Sequence, residues 1–258
     1  MTHKDFTGGG DPQRSLGLLW GRQETGRRGP KPRFSAEKVV AAATAIADAE
    51  GLPALSMRRV AEAMGVSAMS LYTYVPSKAE LVDLMFDRAM GAVPDPDDDL
   101  SGWRARLTFI ARQRWALAER HPWVLDLALH RPPLGPNVLK KAEATIQALD
   151  GMGLAEEEMT LVAEVLQNYI AGALQVAREA RDIERRSGIT DEQWLELIEP
   201  VLQQHVDPAT YPALSRIGEG RRKRGGGGLG ASLASFEFGL ERVLDGLEAY
   251  IRERHALA

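Results

Sequence analysis

The sequence predicts an all-α protein, and three observations carry that prediction. Leu55 to Lys78 contains two short apolar-periodic segments around Gly65, at the spacing of a helix-turn-helix. Two longer stretches, about residues 155–186 and 232–254, repeat apolar residues every three to four positions. Prolines and glycines break the helical patterns from one another, as at His121-Pro122 and Arg131-Pro-Pro-Leu-Gly-Pro136.

Residues 1–33 are expected to be a flexible basic arm. Lys4, Arg14, Arg22, Arg27, Arg28, Lys31 and Arg33 outnumber Asp5, Asp11 and Glu24 there, and glycines and prolines interrupt the run. Arg28, Lys31 and Arg33 are placed to reach along a DNA backbone or into a minor groove, and a solubilising tail is the alternative. Gly8 to Gly10 are expected to be plainly disordered.

Residues 34–90 hold the helix-turn-helix. Ser56 caps a short helix whose Val60 and Met64 face inward, and Ala61 leaves room for a close crossing. Gly65 suits the left-handed conformation that ends this helix. Ser67 caps a second helix, with Leu71 and Tyr74 returning to the core. Ala68, Met69, Ser70, Tyr72 and Thr73 are left outward, the positions that meet base edges in the major groove. A small helical hairpin inside an all-α core is the competing explanation. Pro76 then biases Val75 out of helix, and Ser77 and Glu80 form a capping box that puts Lys78 in the first turn of a third helix.

Residues 91–100 read as a polar, proline-punctuated linker, and residues 101–258 as a helical regulatory and dimerisation domain. Ser101 is expected to cap a helix running to about Arg120. A short helix follows near residues 123–129, then another to about Met152. In the long helix after it, Met159, Val162, Leu166, Tyr169, Ala173 and Ala177 make one stripe. Leu233, Phe236, Leu240, Val243, Leu247 and Ile251 make a second in the last helix. Two long amphipathic helices per subunit are what a dimeric four-helix bundle requires, so these stripes are the expected interface; burial within their own subunit is the alternative. Arg221-Arg-Lys-Arg224 before Gly225–Gly228 reads as a mobile solvated loop.

Composition bounds the function. The net charge is −4, yet the N-terminal segment is basic, and DNA affinity follows the local patch. There is no cysteine, no stretch approaching a membrane span and no apolar leader, which together point to the cytoplasm. An enzyme is not expected: no phosphate-cradling glycine loop or nucleophile elbow occurs, and His3, His121, His130, His205 and His255 show no metal-pair spacing. No cofactor and no metal are expected.

Tyr72, Tyr74, Lys78 and Leu81, preceded by Phe34-Ser35, Val39, Val40, Ala43, Ile46 and Ala47, resemble the head of the TetR family of bacterial transcriptional repressors. That resemblance implies that Tyr72 and Lys78 touch phosphates, that Ala68, Met69, Ser70 and Thr73 approach bases, and that Arg58 adds a contact. Tyr74 also has a core reading, and Lys78 that of an ordinary solvated charge. With Ala68 and Met69 where polar readers might stand, direct base readout is expected to be sparse.

Trp103, Trp115, His121-Pro-Trp123, Gly135-Pro-Asn137, Tyr211-Pro-Ala-Leu214 and Phe236 to Gly246 resemble the regulatory domain of the tetracycline-repressor-like subgroup. The resemblance implies a homodimer that binds a pseudo-palindromic double-stranded operator and is released by a small-molecule effector. A constitutive regulator and a protein-binding adaptor are the alternatives. Trp115, His121, Trp123, Gln167 and Asn168 are the effector-site candidates, aromatic walls with a few polar groups. Packing for the tryptophans, helix capping for His121 and inter-subunit hydrogen bonds for Gln167 and Asn168 are the competing roles.

Overall fold

The computed structural model describes residues 7, 9–21, 35–97, 99–127, 131–223 and 232–257. Among them the regular elements are α1 (Pro12–Leu19), α2 (Ala36–Glu50), α3 (Met57–Met64), α4 (Ala68–Tyr72), α5 (Lys78–Gly91), α6 (Trp103–Arg120), α7 (Pro136–Gln147), α8 (Glu156–Ser187), α9 (Asp191–His205), α10 (Pro212–Lys223) and α11 (Leu233–Leu257). Two 3-10 turns, Leu52–Ala54 and Pro122–Asp126, complete the set. No helix among the described residues is long and apolar enough to cross a membrane. The chain packs as two compact units, Met1–Leu166 with Ala249–Ala258, and Gln167–Glu248.

In the first unit, α2 to α5 close around Val39, Ala43, Val60, Leu71, Val75, Leu81 and Met85, all but sealed from solvent. Leu117 of α6 and Trp123, Val124 and Leu127 of the following turn belong to the same cluster. The packing unit therefore runs past the linker at residues 91–100, and α6 and α7 are built onto the head. Three polar joints hold them there. Asp48 of α2 meets His121 and Trp123, Asp87 of α5 meets the start of α7, and Lys141 of α7 bonds the Val93 carbonyl and Asp95.

The third joint is acid-sensitive. Hydrogen bonds from Lys140 and then Lys141, with their charges, hold the Asp95 carboxyl below its ordinary range. A depressed carboxylate stabilises the fold above its unfolded pKa and loses that contribution as pH falls through the folded value. The melting-temperature gap between wild type and Asp95→Asn is therefore expected to be present at pH 7 and to close below about pH 4. Melts recorded at both pH values read it; a gap that persists in acid overturns it.

The expected flexible arm is ordered in part. Asp11 accepts from the backbone N–H groups of Gln13 and Arg14, and Pro12 occupies the first turn, where its missing N–H costs nothing. The helix so started docks on α5: the Ser15 hydroxyl donates to Asp83 at 3.0 Å, and the Asp11 N–H points to Glu80. Trp20 then donates to the Leu134 carbonyl at 3.0 Å. Gly10, within the triplet expected to be disordered, lies so close to Glu80 that a Cβ there would meet its carboxylate at 2.7 Å. Arg28, Lys31 and Arg33 lie outside the described residues.

The C-terminal half contains two helices not resolved in the sequence reading, α9 and α10. α9 begins with a full capping box between Thr190 and Gln193 and carries Pro200 in its interior. α6 starts at Trp103 with Gly102 rather than Ser101 as its cap, and the expected helix at 123–129 is the 3-10 turn Pro122–Asp126. Arg221 to Lys223, assigned to a loop, form the last turn of α10, and the rest of that basic, glycine-rich run lies outside the described residues.

Candidate nucleic-acid interface

The recognition segment is built by three serine caps and one glycine. Ser56 accepts from the Arg59 N–H at 3.1 Å, Ser67 from Ser70 at 3.3 Å and Ser77 from Ala79 at 3.1 Å, starting α3, α4 and α5 in turn. Gly65, at φ 66° and ψ 36°, ends α3 in the left-handed region, and the next residue, Val66, returns its N–H to the Ala61 carbonyl. Only a residue without a Cβ takes that conformation freely. The turn is thereby fixed, and α4 crosses α3 with Leu71 pinned in the core.

That anchoring decides which side chains of α4 face out. Met69 is 77% and Tyr72 44% exposed, and Ser67, Ser70 and Thr73 are exposed with them. Ala68 is half-buried and packs against the head's core, as does Tyr74. Ala68 thus has little surface for a base, whereas Met69 projects fully. Ser70 also shares a hydroxyl hydrogen bond with Ser67 at 2.9 Å. Lys78 is half-buried in the first turn of α5. Arg58 is exposed on α3 and held by Glu62 one turn on, at 3.3 Å. The resulting surface is short, weakly polar and flanked by cations, suited to phosphate contact and shape more than to dense base readout.

The five effector candidates occupy different surroundings. Trp123 is 1% exposed and donates its indole N–H to Asp48 at 2.8 Å; His121 Nδ1 lies 2.7 Å from the same oxygen. Both are engaged in joining the 3-10 turn to α2, and Asp48 was not singled out from sequence. Trp115 is buried and donates to Glu119 one turn further along α6. Gln167 and Asn168 are exposed on α8.

The residues of the expected interface stripes differ in exposure. Val162, Leu166, Phe236, Leu240 and Leu247 are buried within one subunit, and Met159, Tyr169, Ala173 and Val243 are half-buried. Tyr169 stacks on Phe236 with ring centroids 5.8 Å apart and donates its hydroxyl to the Phe236 carbonyl at 2.6 Å; burial pushes its phenol pKa up. The other face of α8 is the uncovered one, with Leu161 60% and Val176 54% exposed alongside Val165 and Ile183. Phe238 is exposed on α11.

The family described as "Bacterial regulatory proteins, tetR family" matches residues 39–85, and "Tetracyclin repressor-like, C-terminal domain" matches residues 94–251. The chain is 40% identical to the HTH-type transcriptional repressor DrrR1 of Streptomyces coeruleorubidus over 251 residues, 97% of this chain and 90% of that one. An HTH-type transcriptional regulator of Saccharopolyspora erythraea is 34% identical over 61% of this chain and 66% of its own. Among solved structures, ActR of Streptomyces coelicolor in complex with actinorhodin superposes with a TM-score of 0.67 at 27% identity, covering 84% of this chain and 96% of that one. An all-helical chain with a capped helix-turn-helix head defines a DNA-binding regulator. This chain belongs to the TetR family of bacterial transcriptional regulators.

Proposed function

We propose that this regulator is a homodimeric repressor whose two α4 helices enter successive major grooves of a pseudo-palindromic operator, and that a small-molecule effector releases it. The observation that carries the reading is the outward set Met69, Ser70, Tyr72 and Thr73 on a helix fixed by Ser67, Gly65 and Leu71, with Lys78 starting the next helix. One such helix covers a few base pairs, so two heads about 34–36 Å apart are needed to read one face of a duplex. The exposed apolar residues of α8 are the surface we assign to the second copy. Actinorhodin bound to ActR supports a small molecule as the releasing signal here. Such a molecule acts only through its differential affinity for the non-binding arrangement of the heads.

The test is a gel shift on fragments of the gene's own upstream region. Tyr72→Ala with Lys78→Ala is expected to weaken binding about 100-fold at low salt and to flatten the salt dependence, by about one unit of slope for the lost lysine contact. A double variant that binds as wild type at equal salt sinks the assignment of α4 as the reading helix.

A further inference from the structure

Among the described residues, no carboxylate pairs with the guanidinium of Arg114. Arg114 lies on α6 with Nη1 3.1 Å from the sulfur of Met90, and Met90 is fully buried in the last turn of α5. A thioether is a weak acceptor. One turn to either side on α6, Ala111, Leu117 and Ala118 are buried, so the surroundings are apolar. Burial alone shifts the guanidinium, lowering its pKa to about 10 with no carboxylate acting on it, and it remains charged at neutral pH. Nor is it sealed. Among the described residues the one fully buried side-chain polar atom without a partner is Ser215 Oγ. By exposure Arg114 is half-buried, so part of its side chain remains in reach of solvent.

A planar guanidinium presents a fork of donors matched to an oxyanion, and such bonds strengthen in an apolar setting. An unpaired cation in that setting is costly to the apo fold, a cost that a bound anion removes. We propose that Arg114 is the anion-recognising group of an effector site at the junction of α5 and α6, taking a small organic acid with one oxyanion on an apolar body. The inference rests on the ligand-released reading above and adds the charge of the ligand. Because Met90 belongs to α5, the helix that continues directly from the reading segment, an anion held there acts on the element that carries the head.

The probes are 8-anilinonaphthalene-1-sulfonate and N-phenyl-1-naphthylamine, which share an aromatic body and differ in the sulfonate. Fluorescence titration of the full chain is expected to show at least about tenfold tighter binding of the anion, the worth of a charge-assisted hydrogen bond. Arg114→Gln and Arg114→Met are expected to bring the two dyes within about twofold, and Arg114→Lys to keep part of the preference. Arg114→Met is also expected to melt higher than wild type, because it removes a buried unpaired charge. Equal binding of the two dyes by wild type, or a preference that survives in Arg114→Gln, overturns the inference. The two readings fail separately. An Arg114-dependent preference in a protein that keeps its DNA when saturated upholds the site and counts against release. DNA released alike by both dyes upholds release and counts against Arg114.

Discussion

Asp87→Ala is expected to cost about 3–5 kcal/mol of stability, because it strips the acceptor from three donors at a buried joint. Asp87 is 5% exposed, and its carboxylate takes the backbone N–H groups of Asn137 at 3.1 Å and Val138 at 2.9 Å and the Asn137 side-chain amide at 2.8 Å. Those N–H groups are the unsatisfied donors of α7's first turn. Pro136 has none to offer, and the cap residue, Gly135, has no side chain with which to meet them. A helix from elsewhere in the chain therefore caps α7, and its negative charge suits the positive end of the helix dipole. Gly135 is required for the approach, since a Cβ there would stand 2.3 Å from Asp87 Oδ1. For a chain of this size the loss corresponds to a fall in melting temperature of about 10 °C. Asp87→Asn keeps the shape and one acceptor oxygen but turns an amide toward other donors, so it is expected to lose about half as much. A thermal melt of both variants decides the matter. An Asp87→Ala protein within about 1 °C of wild type would mean that water caps α7 equally well.

What could be read from the sequence, and what could not, divides along the range of the interactions. Ser56, Ser67, Ser77 and Gly65 act on neighbours two to five residues away, so their residue types announced the helix-turn-helix and its outward face. Asp87 acts on residues 50 and 51 positions later, and nothing in its local pattern separates it from a solvated carboxylate. Helix α1 is only eight residues long and is held by Ser15 on Asp83, and its start signal, Asp11-Pro12, lies among glycines and cations that read as a flexible arm. Thr190 and Gln193 did advertise α9, and that signal was available. The long stripes fall between these cases. Periodicity shows that Val162, Leu166, Phe236 and Leu240 are covered, but it does not name the covering surface. The uncovered face of α8, through Leu161, Val165 and Val176, was legible only once the packing was seen.

Trp123 carries the other large expected effect, and it separates a structural keystone from a ligand wall. Its indole is sealed in the head's core while its N–H reaches Asp48, so Trp123→Ala combines a large cavity with a lost bond and is expected to cost about 3–5 kcal/mol. Trp123→Phe keeps most of the volume and is expected to cost about 1–2 kcal/mol, the value of the hydrogen bond to a carboxylate that remains partly exposed. His121 shares that oxygen and tilts its ring toward the indole, with centroids 5.9 Å apart, so the three side chains form one unit. Coupling inside the unit is measurable. With Asp48→Ala already in place, adding Trp123→Phe is expected to cost much less than it does alone, because the bond it would break is gone. Strict additivity in that cycle would mean that the Asp48 bond contributes nothing. A wall of an effector site behaves otherwise: trimming it alters the ligand response at little cost to the fold. For Trp123 the expected order is the reverse, with loss of DNA binding at a given temperature tracking the loss of folded protein, since the same side chain ties the turn after α6 to α2 within the buried cluster that also holds Leu71 of the reading helix.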